Sequence, residues 1–319
     1  VSRCALLGDM HYVEDSHDRT RCEPTQPIIT QPPITQAMID AYDEYTHLTL
    51  DRRRFMEQLT RLAGSGAAAA AIAPMLAANS AKAAIVAEDD GRVKGEDITY
   101  PGSSGEMKAY LVKPADQQGK LGTVIVIHEN RGLNSHIRDV ARRVALEGFV
   151  ALAPDFLSPL GGTPSDEDKA RDMFAKLDPA QVAADGVATV AYLKNLKDGN
   201  GKVGAVGFCW GGGAVNQLAV HAPDLSAGVA YYGMQPKAED AAKIKAPLLL
   251  HYAGLDSRTN AGIDAYKKAL GAAHVEYKVY VYEGANHAFN NDTSAARYDK
   301  KAADLAWGRT IAFLKEKLT

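Results

Sequence analysis

The chemistry written into this sequence centres on a cysteine between glycines, Gly207-Phe208-Cys209-Trp210-Gly211. The motif separates a β-branched apolar run at 202–208 from an amphipathic stretch at 211–221, so the cysteine falls on a strand-to-helix turn. A nucleophile on so sharp a turn stands clear of both elements. Glycines are needed on either side because a side chain there would strike the strand or the new helix. A thiolate presented in this way attacks a carbonyl carbon. The competing reading is a buried cysteine acting as a small hydrophobe.

Two further residues follow strand-like runs. Asp256, in Ala253-Gly254-Leu255-Asp256, comes directly after the run 247–252. His287, in Gly284-Ala285-Asn286-His287-Ala288-Phe289, comes just past 276–282. An aspartate so placed orients an imidazole and stabilises its charged form, and the imidazole moves the thiol proton. Taken singly, Asp256 would equally suit an Asx-turn or a helix cap. His287 is the one histidine of nine that follows the last strand of the series. His11, His17 and His47 lie in the front segment, while His136, His221 and His274 read as surface or capping residues. His251 reads as a core histidine. A metalloprotease motif at His128-Glu129 needs a histidine at 132, where Gly132 stands. No metal and no cofactor are expected.

The elements that must position these residues follow from hydropathy. Strand runs at 121–128, 149–153, 202–208, 227–232, 247–252 and 276–282 alternate with helical patterns at 136–147, 179–196, 211–221, 261–270 and 302–318. The runs are continuously apolar rather than alternating. That implies a mostly parallel central sheet with helices on both faces, and hence an α/β protein. Ligands in such sheets bind at the carboxyl ends of the strands, where Cys209, Asp256 and His287 all fall.

The chain order nucleophile, acid, histidine is that of the α/β-hydrolase fold. From Thr99 to Thr319 the sequence resembles the dienelactone hydrolase (carboxymethylenebutenolidase) family. The resemblance rests on His128-Glu129-Asn130-Arg131-Gly132-Leu133-Asn134, Ala153-Pro154-Asp155, Gly207 to Gly213, Leu255-Asp256 and Asn286-His287-Ala288-Phe289. It implies a Cys209–His287–Asp256 triad that cleaves a small ester or lactone, a dienelactone among the candidates, through an acyl-thioester. It also implies Glu129 against the resting cysteine, where a carboxylate can hold the thiol proton. The backbone N–H groups of Trp210 and Asn130 would form the oxyanion hole. The family binds its substrate's carboxylate with arginines, one of them four residues after the histidine; here that position is Asn291. Arg171, Arg131 and Arg258 are the candidate replacements. Acyl transfer or thioester cleavage at the same site, a thiol redox protein and a non-catalytic binding protein are the alternatives.

Composition agrees with a folded enzyme acting on a small molecule. Of 319 residues, 46% are hydrophobic and 24% charged, and the net charge of −3 provides no basic surface for nucleic acid. Three cysteines (Cys4, Cys22, Cys209) make no disulfide framework. We divide the chain into an N-terminal extension at 1–50, a signal-like segment at 51–83 and the enzyme domain at 84–319. The segment begins Asp51-Arg52-Arg53-Arg54-Phe55, continues through an uncharged Ala-rich run and ends at Ala81-Lys82-Ala83. This resembles a twin-arginine export signal and predicts a periplasmic or exported protein, with the cytoplasm as the alternative. An Ala-rich helix packed on the enzyme is the other reading of the same residues. The run is too short and too weakly apolar for stable membrane insertion. Gly64-Ser65-Gly66 imitates a dinucleotide fingerprint, but no strand precedes it.

Overall fold

The computed structural model describes residues 33–77, 84–103 and 105–319. Cys4, Cys22 and Ala81-Lys82-Ala83 lie outside them. In chain order the elements are α1 (Gln36–Thr46), α2 (Arg52–Ala63), α3 (Gly66–Leu76), β1 (Val93–Pro101), β2 (Glu106–Pro114), β3 (Leu121–Ile127), α4 (Ser135–Leu146), β4 (Val150–Pro154), α5 (Glu167–Phe174), α6 (Pro179–Lys194), β5 (Gly199–Phe208), α7 (Trp210–His221), β6 (Ala227–Tyr231), β7 (Leu248–Ala253), α8 (Ser257–Asn260), α9 (Ile263–Ala272), β8 (Tyr277–Tyr282) and α10 (Lys300–Leu318).

Val124, Ile125, Val126 and Ile127 of β3 are all buried, and successive side chains enter different cores. Val124 and Val126 join a core with Val140 and Val144 of α4 and Phe313 and Leu314 of α10. Ile125 and Ile127 join another with Val190 of α6, Leu218 of α7 and Leu270 of α9. Helices therefore cover both faces, which is why the strand runs are apolar without interruption. The sheet has eight strands in the order β1-β2-β4-β3-β5-β6-β7-β8. From β4 to β8 every pairing is parallel; β2 pairs antiparallel with both β1 and β4, so among the described strands β2 alone runs against the rest.

The structure departs from the sequence reading where polar residues hide an element. The β1–β2 pair lies at the sheet edge, and most of β1 is exposed, so it offers no apolar run. His136, read as a surface or capping residue, is buried with Nδ1 3.2 Å from Asp292 Oδ1. The start of α4 faces the segment after β8 rather than solvent.

The N-terminal helices make a layer with its own small core. Met38, Tyr42, Phe55, Leu59, Ile72 and Leu76 are buried together, and Ala296 packs against them. Thr35 caps α1 by accepting from Met38 N, and Asp51, at the head of the signal-like motif, caps α2 by accepting from Arg54 N. Among the described residues no single helix is long and apolar enough to cross a membrane. The α2–α3 pair, bent by 112°, meets that test only jointly. Asn130 Nδ2 donates to Thr46 O (2.7 Å), and Tyr45 Oη donates to Asp168 Oδ2 (2.8 Å). These bonds bring the end of α1 to the carboxyl edge of the sheet.

Candidate active site

Cys209 occupies the one-residue turn between β5 and α7, with φ 55° and ψ −114°. A non-glycine residue held at positive φ stores strain that the surroundings must over-determine. The flanking glycines show how. A Cβ on Gly207 would stand 2.1 Å from Gly211 O, and one on Gly211 would stand 2.4 Å from Ile127 O. Cys209 N donates to Tyr231 O (3.0 Å), which fixes the turn to β6.

The loops after β7 and β8 bring Asp256 and His287 together. His287 Nδ1 donates to Asp256 Oδ2 (2.6 Å), and both residues are buried. Asp256 Oδ1 also accepts from Thr259 N (3.0 Å), so the carboxylate caps α8 as well as orienting the imidazole. His287 Nε2 has no hydrogen-bond partner among the described residues. Catalytic contacts are commonly long before substrate binds.

The sulfur has a second imidazole neighbour, which the sequence reading set aside with the front segment. His47 Nε2 lies 3.4 Å from Cys209 Sγ. Its ring meets that of His287 edge-on, with centroids 4.8 Å apart. One nitrogen of each ring and Sγ lie within 4.8 Å of one another. A soft metal ion could span that spacing, but Arg258 Nη2 donates to His47 Nε2 at 2.8 Å and places a positive charge where the ion would sit. Asp43, one turn back on α1, has Oδ1 3.4 Å from His47 Nδ1. The only sequence signal for this pair was its spacing of four along a helix.

Charge is arranged to favour a thiolate beside imidazolium. Burial raises the Cys209 thiol, but His287 and His47 together pull it down to about 6. Burial opposes charge on His287, yet Asp43, the sulfur and Asp256 hold it well above its ordinary value. Burial raises Asp256, but the bond to His287, the charge of that ring and the bonds from Thr259 together draw it down to about 2.

Glu129 Oε2 accepts from Asn291 Nδ2 (2.7 Å), so the residue at the family's arginine position holds this carboxylate. The bond that the sequence reading gave to Glu129 at the sulfur is made by His47 instead. Glu129 shares with Cys209 a small cavity of about 20 Å³. The main cavity, about 440 Å³, has Cys209, Asn130, Trp210, Arg171 and Arg258 in its wall. Trp210 stacks on His128 and packs against Phe174, making one side aromatic. Arg131 turns away, donating to Glu167 O (2.9 Å).

Comparison with known proteins bears on the same residues. A family model described as "Dienelactone hydrolase family" matches residues 107–318. A "Putative carboxymethylenebutenolidase" of Escherichia coli is 32% identical over 255 residues, covering 75% of this chain and 93% of its own. One of Methylorubrum extorquens is 34% identical over 245 residues, covering 72% of this chain and 83% of its own. The crystal structure of a "Putative Dienelactone Hydrolase" from Klebsiella pneumoniae superposes with a TM-score of 0.64 at 31% identity, covering 70% of this chain and 98% of that one. Helices α1 to α3 precede the residues matched by the family model.

Proposed function

This chain belongs to the dienelactone hydrolase family, a hydrolase of esters or lactones, and we propose that Cys209, His287 and Asp256 are its catalytic triad. The observation that carries this reading is the convergence of the strained cysteine and His287, held from behind by Asp256, on the wall of a cavity of about 440 Å³. In the first half-reaction the thiol proton passes to His287, and the thiolate adds to the substrate carbonyl. The oxyanion takes hydrogen bonds from the backbone N–H groups of Trp210 and Asn130. Collapse expels the alkoxide, which collects the proton from His287, and leaves an acyl-thioester. Water then attacks that thioester, His287 taking its proton, and the sulfur departs.

The cavity suits a small acyl group with one apolar flank and an anionic end. Arg171 Nη1 and Arg258 Nε are buried there without hydrogen-bond partners among the described residues, facing Asp168 and Asp43 only at 3.8 Å. A substrate carboxylate would satisfy either. The test is turnover of a panel of neutral esters, lactones and carboxylate-bearing dienelactones by the wild type and Cys209→Ala. Activity confined to the wild type supports the triad; equal activity in the variant overturns it.

For localisation we propose export with the helical layer retained. The paired Arg52 and Arg53 support export, and the burial of Phe55, Leu59, Ile72 and Leu76 in that layer supports retention. Cell fractionation of wild type and Arg52→Lys/Arg53→Lys, with sequencing of the N-terminus, tests both halves. A mature protein beginning at Ala84 would contradict retention.

A further inference from the structure

His47 is the C-cap residue of α1, and its backbone N–H donates to carbonyls of the last turn. Its Nδ1 is 2.8 Å from Asp43 O, an acceptor only, so the ring proton lies on Nδ1 and the Nε2 lone pair faces outward. That lone pair looks toward Cys209 Sγ at 3.4 Å. Cys209 in turn stands at the N-terminus of α7. A helix C-terminus favours a cation and an N-terminus an anion. Imidazolium at the end of α1 and thiolate at the start of α7 are thus each supported by their own helix.

We propose that His47 is a second proton acceptor for the Cys209 thiol, a catalytic residue carried by the N-terminal helical layer rather than by the sheet. The proposal rests on Cys209 being the nucleophile. In the step, Sγ–H breaks and Nε2–H forms, leaving thiolate and imidazolium in contact. Nε2 has one lone pair, so the proton and the 2.8 Å bond from Arg258 Nη2 are alternatives. The guanidinium donates to the neutral ring and is released when the ring is charged. Two imidazoles on one sulfur also let either take the thiol proton. When His47 holds it, His287, itself charged beside Asp43 and Asp256, gives its own proton to the leaving group and regains one from the attacking water.

The groups around His47 act in both directions. Asp43 on its own helix, Asp256 after β7 and Glu129 after β3 favour a charge on it. His287 and Arg297 from the segment after β8, and Arg258 from α8, oppose one. Burial resists ionisation, yet the sulfur and Asp43 together raise His47 above its ordinary value.

The experiment is the pH dependence of iodoacetamide alkylation of Cys209 in the full chain, wild type against His47→Gln. The variant keeps a polar side chain of similar reach and loses the titration. The thiol midpoint should rise by about 1 unit, since a neighbouring opposite charge is worth about 1–3 units. The acid limb of kcat/KM should move with it. A folded variant with an unchanged midpoint overturns the proposal, because a purely structural histidine leaves the thiol titration in place. Should the variant not fold, histidine NMR titration of the unaltered enzyme decides. Capping the sulfur as its carboxamidomethyl thioether should lower the midpoints of His47 and His287 together. A shift of His287 alone refutes the role of His47. Failure of the triad itself looks different: Cys209→Ala would then retain turnover, whatever the thiol titration shows.

Discussion

Asp256 and His287 stand on loops leaving β7 and β8 at the same end of the sheet, whereas Asp43 and His47 stand one turn apart on a single helix. Both pairs reach the same sulfur, and they are held there by different means. The first rides on strands paired in parallel from Leu248 to Ala253 against Tyr277 to Tyr282. Its Nδ1–Oδ2 bond is 2.6 Å long, and Thr259 N holds the other carboxylate oxygen. The second depends on how α1 is seated: on the Asn130–Thr46 bond, on Tyr45 and Arg52 meeting Asp168, and on the small core beneath. A sheet-borne pair shares the global stability of the domain. A helix-borne pair depends instead on the local stability of its own layer.

The largest separation is expected from charge-removing changes on the two sides. Asp256→Asn should lower kcat by about 10³–10⁴-fold, because the imidazole loses both its orientation and its counter-charge. Asp43→Asn should cost about 10-fold, the scale of one neighbouring charge. Equal losses, measured as kcat at saturating ester, would break the distinction between the pairs.

Phe55→Ala sharpens it through stability. Emptying this buried aromatic site should destabilise the layer by about 3–5 kcal/mol. Hydrogen exchange should then accelerate in α1 to α3 while β3 and β5 stay protected. Uniform acceleration would mean that the layer and the sheet unfold as one unit.

A smaller effect lies in the pH profile of the wild type. The reactive form is the thiolate, so kcat/KM should fall as pH drops through about 6, where the Cys209 thiol takes up its proton. Asp256, drawn down to about 2, stays ionised across that range and adds no second step. The least change is expected from Glu129→Gln. Removing a negative charge across the small cavity favours thiolate, so the midpoint should fall by less than about 0.5 unit. A shift as large as that of His47→Gln, with the opposite sign, would return Glu129 to direct contact with the thiol.

What the sequence made legible follows the same division. Cys209, Asp256 and His287 each follow a strand run within a few residues, and parallel pairing sends such ends to one edge, so three separate positions pointed to one site. β1 was not legible because this edge strand is mostly exposed and charged, and β2 because lysines at 108 and 113 leave it only the short apolar stretch 109–112. His47 was not legible because its meaning is entirely tertiary. Its sulfur partner is 162 positions away, and nothing local sets it apart from a capping histidine. Asp51, which reads as part of an export motif, has a second role that only the structure shows, capping α2. Asn291 is a further case. As a departure from the family's arginine it carries only a negative message, whereas the structure gives it the Glu129 carboxylate to hold.

The central claim is that substrate is held covalently on Cys209. Intact-mass spectrometry of the His287→Gln enzyme, quenched in acid during reaction with an accepted ester or lactone, tests it most directly. An ester with a good leaving group such as a nitrophenolate needs no proton from His287 to acylate the sulfur, whereas water attack on the thioester needs its base, so the thioester should build up. The protein should gain the mass of the acyl group (the full substrate mass for a lactone), and peptide mapping should place it on the Cys209 peptide. Product formation by the wild type with no adduct in either enzyme, or an adduct on another residue, would contradict the account.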